Sequence, residues 1–373
     1  MDTRLKQQNY KRRLMGAMGD EPLSWKKVGV KYWPKYNSSI LATIAAAGTG
    51  DDATSTALSH GVAGANLYEH GVVLPSGLIY FIPHSSTVVL KLNPATGEFT
   101  TFGSFAGDYK WCGGVLAPNG CIYCAPHYST AVLKINTSDD STSLLGDLGG
   151  ATTQKWAGGV CVNGYVYFIP HDGTTVLKVN TVGDVLSTIG ELAAGEDKWH
   201  GGTLASNGYI YCAPRNSTAV MKINPATDEI TEIGNLAGTH KWSALVESSN
   251  GYLYGIPLSS TAILKINLAT DEITTFGNIA GDYKYIGGKL APNGKIYCIP
   301  FNATTVLVID PTNDSTATLG TLEGTLKWAS CALGLDGNIY AAPYAIASVL
   351  KITPSGGKKF NDNVSLSTYF NKF

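Results

Sequence analysis

The stretch Gly287-Gly-Lys-Leu-Ala-Pro-Asn-Gly-Lys-Ile-Tyr-Cys-Ile-Pro300 decides the fold, because its second half recurs along the chain. The recurring motif is an aliphatic residue, a tyrosine, two variable residues and a proline. Its tyrosines lie 43, 44, 44, 43, 43 and 43 residues apart: Tyr80, Tyr123, Tyr167, Tyr211, Tyr254, Tyr297 and Tyr340. A constant period of this length is typical of repeat folds, and it accommodates four short strands. Seven occurrences predict seven blades of a β-propeller.

One repeat, residues 285–328, contains four segments with the alternation and β-branched content of strands. The pair Asn293-Gly294 between the first two segments is a hairpin signal. A β-helix or another solenoid is the competing interpretation, but it requires shorter coils than this period provides. The sequence therefore predicts an all-β, seven-bladed propeller with four-stranded antiparallel blades.

The last repeat, Trp328 to Pro354, has only three clear strands, and an unpaired edge would be an aggregation hazard. The segment Ser39–Ile44 resembles the outer strands of other repeats, so we expect an N-terminal strand to close the ring. We expect Gly48 to Ala65 to be a long loop. The predicted organisation is a basic docking arm (1–36), a closing strand and long loop (37–67), the propeller (68–354) and a C-terminal tail (355–373).

Composition narrows the function classes. The formal net charge is −1, so the molecule lacks the basic field of a general nucleic-acid binder. The N-terminus has no apolar core of a secretion signal, and no stretch is long enough to span a bilayer, so we expect no membrane insertion. Three of the seven cysteines, Cys124, Cys212 and Cys298, share one repeat position. We expect them to be separate buried thiols and the site of synthesis to be reducing.

Strand polarity places the loops after each second strand on the same face as the start of each first strand. The residues that directly follow the strand-two prolines are His84, His127, His171, Arg215, Leu258, Phe301 and Tyr344. They are polar in blades one to four and apolar in blades five to seven. This split predicts a binding face for an asymmetric partner, and drift at tolerant loop positions is the alternative.

Aromatic residues begin the first strands on the same face. They are Trp111, Trp156, Trp199, Trp242 and Trp328, with Tyr285 in blade six and Tyr68 in blade one, and from blade two onward each follows a lysine. One interpretation is that the rings wedge between blades while the lysines stay solvated. The other is a ring of aromatic and ammonium groups that binds sugars or an acidic surface.

The sequence offers little catalytic or metal-binding chemistry. His84, His127 and His171 are suitable ligand types, but we expect one histidine per blade to be too widely spaced for a metal ion. Cys121 and Cys124 face opposite sides of one strand, and no second pair accompanies them. No nucleophile elbow, zinc-protease motif, phosphate loop or dinucleotide fingerprint occurs. We therefore expect no enzyme activity, catalytic residue, metal or cofactor.

Residues 1–35 carry nine basic and three acidic side chains, a net charge of +6 that leaves −7 for the remainder. This arm also contains several aromatic residues. We expect it to dock on an acidic or protein partner through Lys11, Arg12, Arg13, Trp25, Tyr32 and Trp33. The alternatives are a disordered arm with a strap across the propeller, or a nucleic-acid contact.

The phrase of Gly287–Pro300, together with Thr-x-Val-Leu-Lys-Ile-Asn-Pro elsewhere in the repeats, resembles a family of seven-bladed propeller repeats. This family occurs in tail and other virion proteins of tailed phages and related viruses, and in proteins of environmental microbes. The resemblance covers residues 68–354 and implies a structural or adhesion component of a virion, assembled in the host cytoplasm. Its partners would be other virion proteins, a second copy of the chain or a host-surface glycan. A glycan-binding lectin is the first alternative, and a propeller lactonase or lyase is the second.

Overall fold

A computed structural model describes residues 25–28, 31–34, 53–149 and 153–356. The propeller prediction is confirmed: seven four-stranded antiparallel sheets follow one another along the chain. In each blade the strands are ordered from the first, at the axis, to the fourth, at the periphery. Consecutive first strands contact one another around the ring, and the seventh contacts the first. The solenoid alternative is thereby excluded.

The strands have the following bounds. The first strands are β4 (Tyr68–Val73), β8 (Trp111–Leu116), β12 (Trp156–Val162), β16 (Trp199–Leu204), β20 (Trp242–Glu247), β24 (Tyr285–Leu290) and β28 (Trp328–Leu333). The second strands are β5 (Ile79–Pro83), β9 (Cys121–Pro126), β13 (Tyr165–Pro170), β17 (Ile210–Pro214), β21 (Tyr252–Pro257), β25 (Ile296–Pro300) and β29 (Ile339–Pro343). The third strands are β6 (Val89–Asn93), β10 (Val132–Asn136), β14 (Val176–Asn180), β18 (Val220–Asn224), β22 (Ile263–Asn267), β26 (Val306–Asp310) and β30 (Ser348–Thr353). The fourth strands are β7 (Glu98–Phe102), β11 (Thr142–Leu145), β15 (Val185–Ile189), β19 (Glu229–Ile233), β23 (Ile273–Phe276), β27 (Ser315–Leu319) and β3 (Thr54–Ser59).

The ring is closed by an N-terminal strand, but not by the one that the sequence suggested. Strand β3 pairs antiparallel with β30, from Thr54 opposite Thr353 to Ser59 opposite Ser348. This strand lies within the segment that we expected to be a long loop. The predicted closing strand, Ser39–Ile44, lies outside the described residues. The outer strands are mostly exposed, so their sequences carry a weak pattern, and β3 was not recognised as a strand in the sequence.

Apolar packing lies mainly between blades. Seven clusters of buried side chains each combine residues of two neighbouring blades, including blades seven and one. The motif tyrosines belong to these clusters and are at most 1% exposed. Each blade therefore completes its core against its neighbours, which explains why the ring needs all seven blades and a closing strand.

The opposite face carries a polar contact between blades. At five of the seven interfaces in the described part of the chain, a motif tyrosine and a strand-three lysine bind one aspartate of the next blade. Tyr123 Oη, for example, donates to Asp184 Oδ1 at 2.6 Å, and Lys134 Nζ lies 2.6 Å from Asp184 Oδ2. Burial raises the pKa of the Asp184 carboxyl, but the hydrogen bonds from Lys134 and Tyr123 outweigh it and hold this pKa below its usual value. The contact therefore stabilises the ring when the aspartate is ionised.

Replacing Asp184 with asparagine should lower the free energy of unfolding at pH 7 by about 1–2 kcal/mol, since a charge-assisted contact is lost at a partly exposed site. The folded-state pKa is depressed, so the stabilisation is present above the unfolded pKa of about 4 and disappears as pH falls through the folded value. Denaturant unfolding from pH 7 to 3 should therefore show the two proteins converging in acid. The exposed Asp108→Asn is the control. A difference that stays constant with pH would contradict the ionic contribution.

Residues 25–34 contain a separate hairpin, in which β1 (Trp25–Val28) pairs antiparallel with β2 (Lys31–Pro34). Trp25, Tyr32 and Trp33 of the predicted docking arm lie in this hairpin, whereas Lys11, Arg12 and Arg13 lie outside the described residues. Among the residues that are described, none forms a helix with the length and apolarity needed to cross a membrane.

Candidate functional site at the axial mouth

The residues that follow the strand-two prolines form a closed ring around the axis, which we call the inner ring: His84, His127, His171, Arg215, Leu258, Phe301 and Tyr344. The carbonyl oxygen of each accepts a hydrogen bond from a backbone N–H of the next blade at 2.7–3.0 Å. Lys110 N–H donates to His84 in this way, and Leu67 N–H donates to Tyr344 and completes the circle. This arrangement brings equivalent side chains of neighbouring blades together at one end of the axis.

Adjacent imidazoles in the inner ring are in contact. The ring centroids of His84 and His127 are 5.5 Å apart, and those of His127 and His171 are 5.4 Å apart. The expectation that the blades hold neighbouring histidines far apart was therefore wrong, although in the described chain His84, His127 and His171 do not form a group whose ligand atoms are all close enough to hold one metal ion. Spacing between blades is small near the axis, and sequence separation does not reveal which position lies there.

The apolar inner-ring residues of blades five to seven pack against one another. Leu258, Ile286, Phe301 and Ala329 form an eighth apolar cluster, against which Tyr283 and Tyr344 pack. Unlike the other seven clusters, this one lies at the axial mouth. In the described chain no equivalent cluster occurs over blades one to four, where the same positions hold imidazoles and a guanidinium. The largely buried layer of side chains at the mouth is thus apolar on one side and polar on the other.

A second set of residues, which we call the rim, immediately precedes the lysine position of each blade. It consists of Asn66, Tyr109, Gln154, Asp197, His240, Tyr283 and Leu326. All but Gln154 adopt a left-handed backbone conformation, with φ between 47° and 55°. The side chains pack on the inner ring: Tyr109 lies 5.0 Å from His84 between ring centroids. Sequence reasoning missed the rim, although its residues share one repeat position, directly before the lysine of blades two to seven and before Leu67 in blade one.

Acidic rim and loop residues bind the polar sector. Asp172 Oδ1 lies 3.1 Å from His171 Nδ1, and Asp197 Oδ1 lies 3.2 Å from His171 Nε2. Asp197 Oδ2 also lies 3.1 Å from His240 Nε2 and 3.5 Å from Arg215 Nε. Burial lowers the pKa of His171 despite these carboxylates. His171, Asp172 and Asp197 are one of two groups in the described chain whose ligand atoms are close enough to hold a metal ion.

The second such group lies in the channel directly below the inner ring. It comprises Glu69 of β4, Cys112 of β8 and His200 of β16, each directly after the aromatic residue that begins its strand. Glu69 Oε1 lies 3.3 Å and Cys112 Sγ lies 3.8 Å from His200 Nε2. Glu69 Oε2 lies 3.4 Å from Nε2 of the inner-ring residue His84. We call these four residues the axial cluster; of them, only His84 was singled out from the sequence.

The channel is narrow. Its free volume is about 60 Å³, room for a few water molecules, and all seven first strands line it. Next to the axial cluster, Ser330 Oγ lies 3.2 Å from His70 Nδ1. His70 and Ser330 have φ values of 83° and 55° at a position where four other blades have a glycine with positive φ. Non-glycine residues in this conformation cost about 1–2 kcal/mol each, a strain that is often found at functional sites.

Burial sets the protonation of the channel side chains. It lowers the pKa of His70 to about 3, with help from the Lys289 ammonium. Burial likewise lowers the pKa of His84 and His127. It raises the pKa of the Cys112 thiol well above its usual value, and the Glu69 carboxylate adds to this effect. Burial opposes ionisation of Glu69 as well, but a hydrogen bond with His200 and the nearby imidazoles hold the pKa of this carboxyl below its ordinary range.

The strand-one aromatic residues do not form a platform on the surface. Trp111, Trp156, Trp199, Trp242 and Trp328 are 2–6% exposed, and each indole N–H donates to a backbone carbonyl. The interpretation that these aromatic residues form a sugar-binding ring at the surface is therefore wrong, because they are buried. The preceding lysines are not solvated either, since they are 1–9% exposed. Lys327 Nζ, for example, donates to the carbonyls of Ala303 and Gly324, so these lysines stabilise loops.

All seven cysteines are free and buried, which confirms the prediction made for Cys124, Cys212 and Cys298. Cys124, Cys212 and Cys298 lie in clusters between blades, and burial raises the pKa of each thiol. Cys112 differs from them because its sulfur faces the channel.

A family described as a repeat of unknown function (DUF6923) matches residues 157–283, about a third of the chain. No curated protein matches the sequence. Solved structures with the same fold include a streptogramin B lyase, with a TM-score of 0.70 and 14% identity, covering 81% of this chain and 97% of that one. Virginiamycin B lyase from Staphylococcus aureus matches with a TM-score of 0.70 and 13% identity, over 81% of this chain and 100% of that one.

A third similar structure is the extracellular domain of a putative one-component system from B. thetaiotaomicron. Its TM-score is 0.61 at 13% identity, over 82% of this chain and 43% of that one. At such identities the likeness concerns the fold alone, and the same fold occurs in lyases and in an extracellular domain of a putative one-component system. The chain is therefore a seven-bladed propeller with a partial match to a repeat family, and its function has to be argued from its own axial mouth.

Proposed function

We propose that this protein is a non-enzymatic binding module that receives a protein partner at the axial mouth. The observation that carries the proposal is the eighth apolar cluster, formed by Leu258, Ile286, Phe301 and Ala329 outside the cores between blades. Around a ring of seven similar blades, packing alone does not require one side of the mouth to be apolar and the other polar. A partner that is itself apolar on one side and polar on the other would require this division.

The size and chemistry of the mouth favour a protein segment as this partner. A channel of about 60 Å³ is far smaller than the roughly 300–1,000 Å³ of typical small-molecule pockets, so the partner has to lie over the mouth. Tyr344 and the 41%-exposed Leu326 offer apolar contact on one side. Asp197 and Arg215 offer hydrogen bonds on the other. An extended segment with apolar and polar side chains fits both sectors.

The channel side chains are poorly matched to acid–base or nucleophilic work near neutral pH. His70 is a weak base because its pKa is about 3, and the raised pKa of Cys112 keeps it a thiol. Ser243 Oγ donates to the Tyr285 carbonyl rather than to a base. The lectin alternative has lost its main argument, because the strand-one tryptophans are buried.

The wider setting predicted from the resemblance is a virion tail or appendage, in which the chain docks by its termini. That part of the proposal depends on residues 1–24 and 357–373, which lie outside the described residues. Neither the family match nor the similar structures bear on it. It is carried by the resemblance and by the +6 charge of the N-terminal arm.

Peptides selected from a random library on the full chain should bind the axial mouth. Phe301→His and Tyr344→His give blades six and seven the histidine that blades one to three have at the same position. The fold should therefore tolerate both substitutions. The double variant should weaken binding at least about tenfold, because the apolar sector becomes polar. Fluorescence anisotropy with labelled peptides measures this change.

Val182→Ser is the matched control, since Val182 is 81% exposed in a turn on the opposite face. If Val182→Ser weakens peptide binding and the double variant does not, the binding surface lies on the face opposite the axial mouth, and the proposal is wrong. A hydrolase and lyase screen and a glycan array complete the test. Turnover that is lost in the double variant would replace the proposal with an enzyme. Sugar binding that is lost in the double variant would replace it with a lectin.

A further inference from the structure

The channel beneath the inner ring contains a carboxylate, a thiol and an imidazole from three different blades. We propose that Glu69, Cys112 and His200, with His84 as the fourth ligand, bind a divalent transition-metal ion of the zinc class. This site is distinct from the binding surface proposed above and does not depend on it. One metal ion would join blades one, two and four across the axis.

The distances between ligand atoms agree with tetrahedral coordination. With metal bonds of about 2.0 Å to oxygen and nitrogen and about 2.3 Å to sulfur, tetrahedral geometry separates oxygen and nitrogen by about 3.3 Å and nitrogen and sulfur by about 3.5 Å. The corresponding separations here are 3.3 Å between Glu69 Oε1 and His200 Nε2 and 3.8 Å between Cys112 Sγ and His200 Nε2. The three side chains are therefore already spaced as ligands.

The hydrogen bonding of His200 supports a metal-binding tautomer. Its Nδ1 lies 2.8 Å from the Ser243 carbonyl oxygen, which can only accept, so Nδ1 carries the hydrogen. The Nε2 atom faces the Glu69 carboxylate, with which it shares a hydrogen bond, and Cys112 Sγ. A metal ion between these atoms would take the place of the hydrogen on Nε2, and that proton would leave to solvent. A backbone carbonyl behind the other nitrogen is the usual support of a metal-bound histidine.

His84 provides a second and independent indication. This residue is 2% exposed, and its Nε2 makes no hydrogen bond within the described part of the chain. The same atom lies 3.4 Å from Glu69 Oε2, the carboxylate oxygen that His200 does not contact. A buried nitrogen without a hydrogen bond, next to the carboxylate of one of the three proposed ligands, is explained if it completes the coordination.

The fold does not require these side chains. The positions equivalent to Glu69, Cys112 and His200 are occupied by Ala157 in blade three and Ala329 in blade seven. Both alanines are fully buried in the same layer, so a small apolar residue satisfies the packing there. When the metal binds, the Cys112 thiol proton leaves to solvent and the thiolate becomes the sulfur ligand. A set of one sulfur, two nitrogens and one oxygen suits Zn²⁺ and also accepts Co²⁺.

The test uses the full chain, freed of metal with a chelator and titrated with Zn²⁺ or Co²⁺ alone. We expect one Zn²⁺ per chain by calorimetry, and a thiolate-to-cobalt charge-transfer absorption with Co²⁺. Cys112→Ala should abolish this absorption and weaken zinc binding at least about tenfold, and His200→Ala should weaken zinc binding similarly. All histidines and cysteines lie between residues 60 and 331, so the sulfur signal cannot arise in the terminal segments.

Cys124→Ala is the matched control, because its thiol is equally buried but lies in a core between blades and is replaced by Ala341 in blade seven. It should bind zinc and cobalt like the unaltered chain. The proposal is overturned if the unaltered chain binds no Zn²⁺, or if Cys112→Ala and His200→Ala bind it normally. Binding that persists in Cys112→Ala but is lost in His171→Ala would assign the metal to the His171, Asp172 and Asp197 group instead.

Discussion

Deletion of residues 1–60 should yield a chain that aggregates or has lost most of its stability, because this change removes β3. Without β3, the backbone groups of β30 form an unpaired edge, and such edges pair with other chains. The loss also reaches the cores between blades. Leu58 packs on the cluster between blades seven and one, and Ala53 packs on the cluster between blades six and seven. Thermal melting and size-exclusion chromatography measure the outcome.

Deletion of residues 1–47 is the control for this experiment. It removes the predicted strand Ser39–Ile44 but keeps the whole of β3, so the propeller should melt like the full chain. If the shorter deletion is as damaging as the longer one, ring closure needs the segment before β3. If neither deletion affects melting, β3 does not stabilise blade seven.

Replacing Gly158 with alanine should lower the free energy of unfolding by about 3 kcal/mol or more. Gly158 has a φ of +68°, which costs an alanine about 1–2 kcal/mol. An added Cβ would also lie only 2.8 Å from the Cα of Gly201 in the next blade. Backbone atoms cannot rotate away as a side chain can, so two innermost strands have to move apart and the axial packing is strained.

Gly201→Ala separates the two contributions. Gly201 has nearly the same φ, +67°, but no atom lies within 4 Å of an added Cβ. This variant should therefore lose only the backbone cost of about 1–2 kcal/mol. Urea unfolding of both variants gives the comparison. Equal losses would show that conformation alone, and not the close approach of the blades, makes glycine necessary at Gly158.

The sequence determined the architecture because the propeller is built from local repeats. The motif around Tyr297 contains two strands and their hairpin, and its seven occurrences count the blades before any long-range contact is known. The polar and apolar split between His84 and Tyr344 was also visible in sequence, because equivalent positions of repeats must occupy equivalent places around the axis. These inferences use periodicity, which a single chain displays directly.

Only the tertiary structure decided which side chains touch. Radial distance from the axis is not encoded in the repeat period, so neither the contact between His84 and His127 nor the grouping of Glu69, Cys112 and His200 could be inferred. Each member of that cluster replaces a small residue in another blade, and its neighbours in space lie 43 or more residues away in the chain. The closing strand was misassigned for a related reason: an exposed outer strand has almost no hydrophobic pattern, and its partner is chosen by ring closure, a property of the whole molecule.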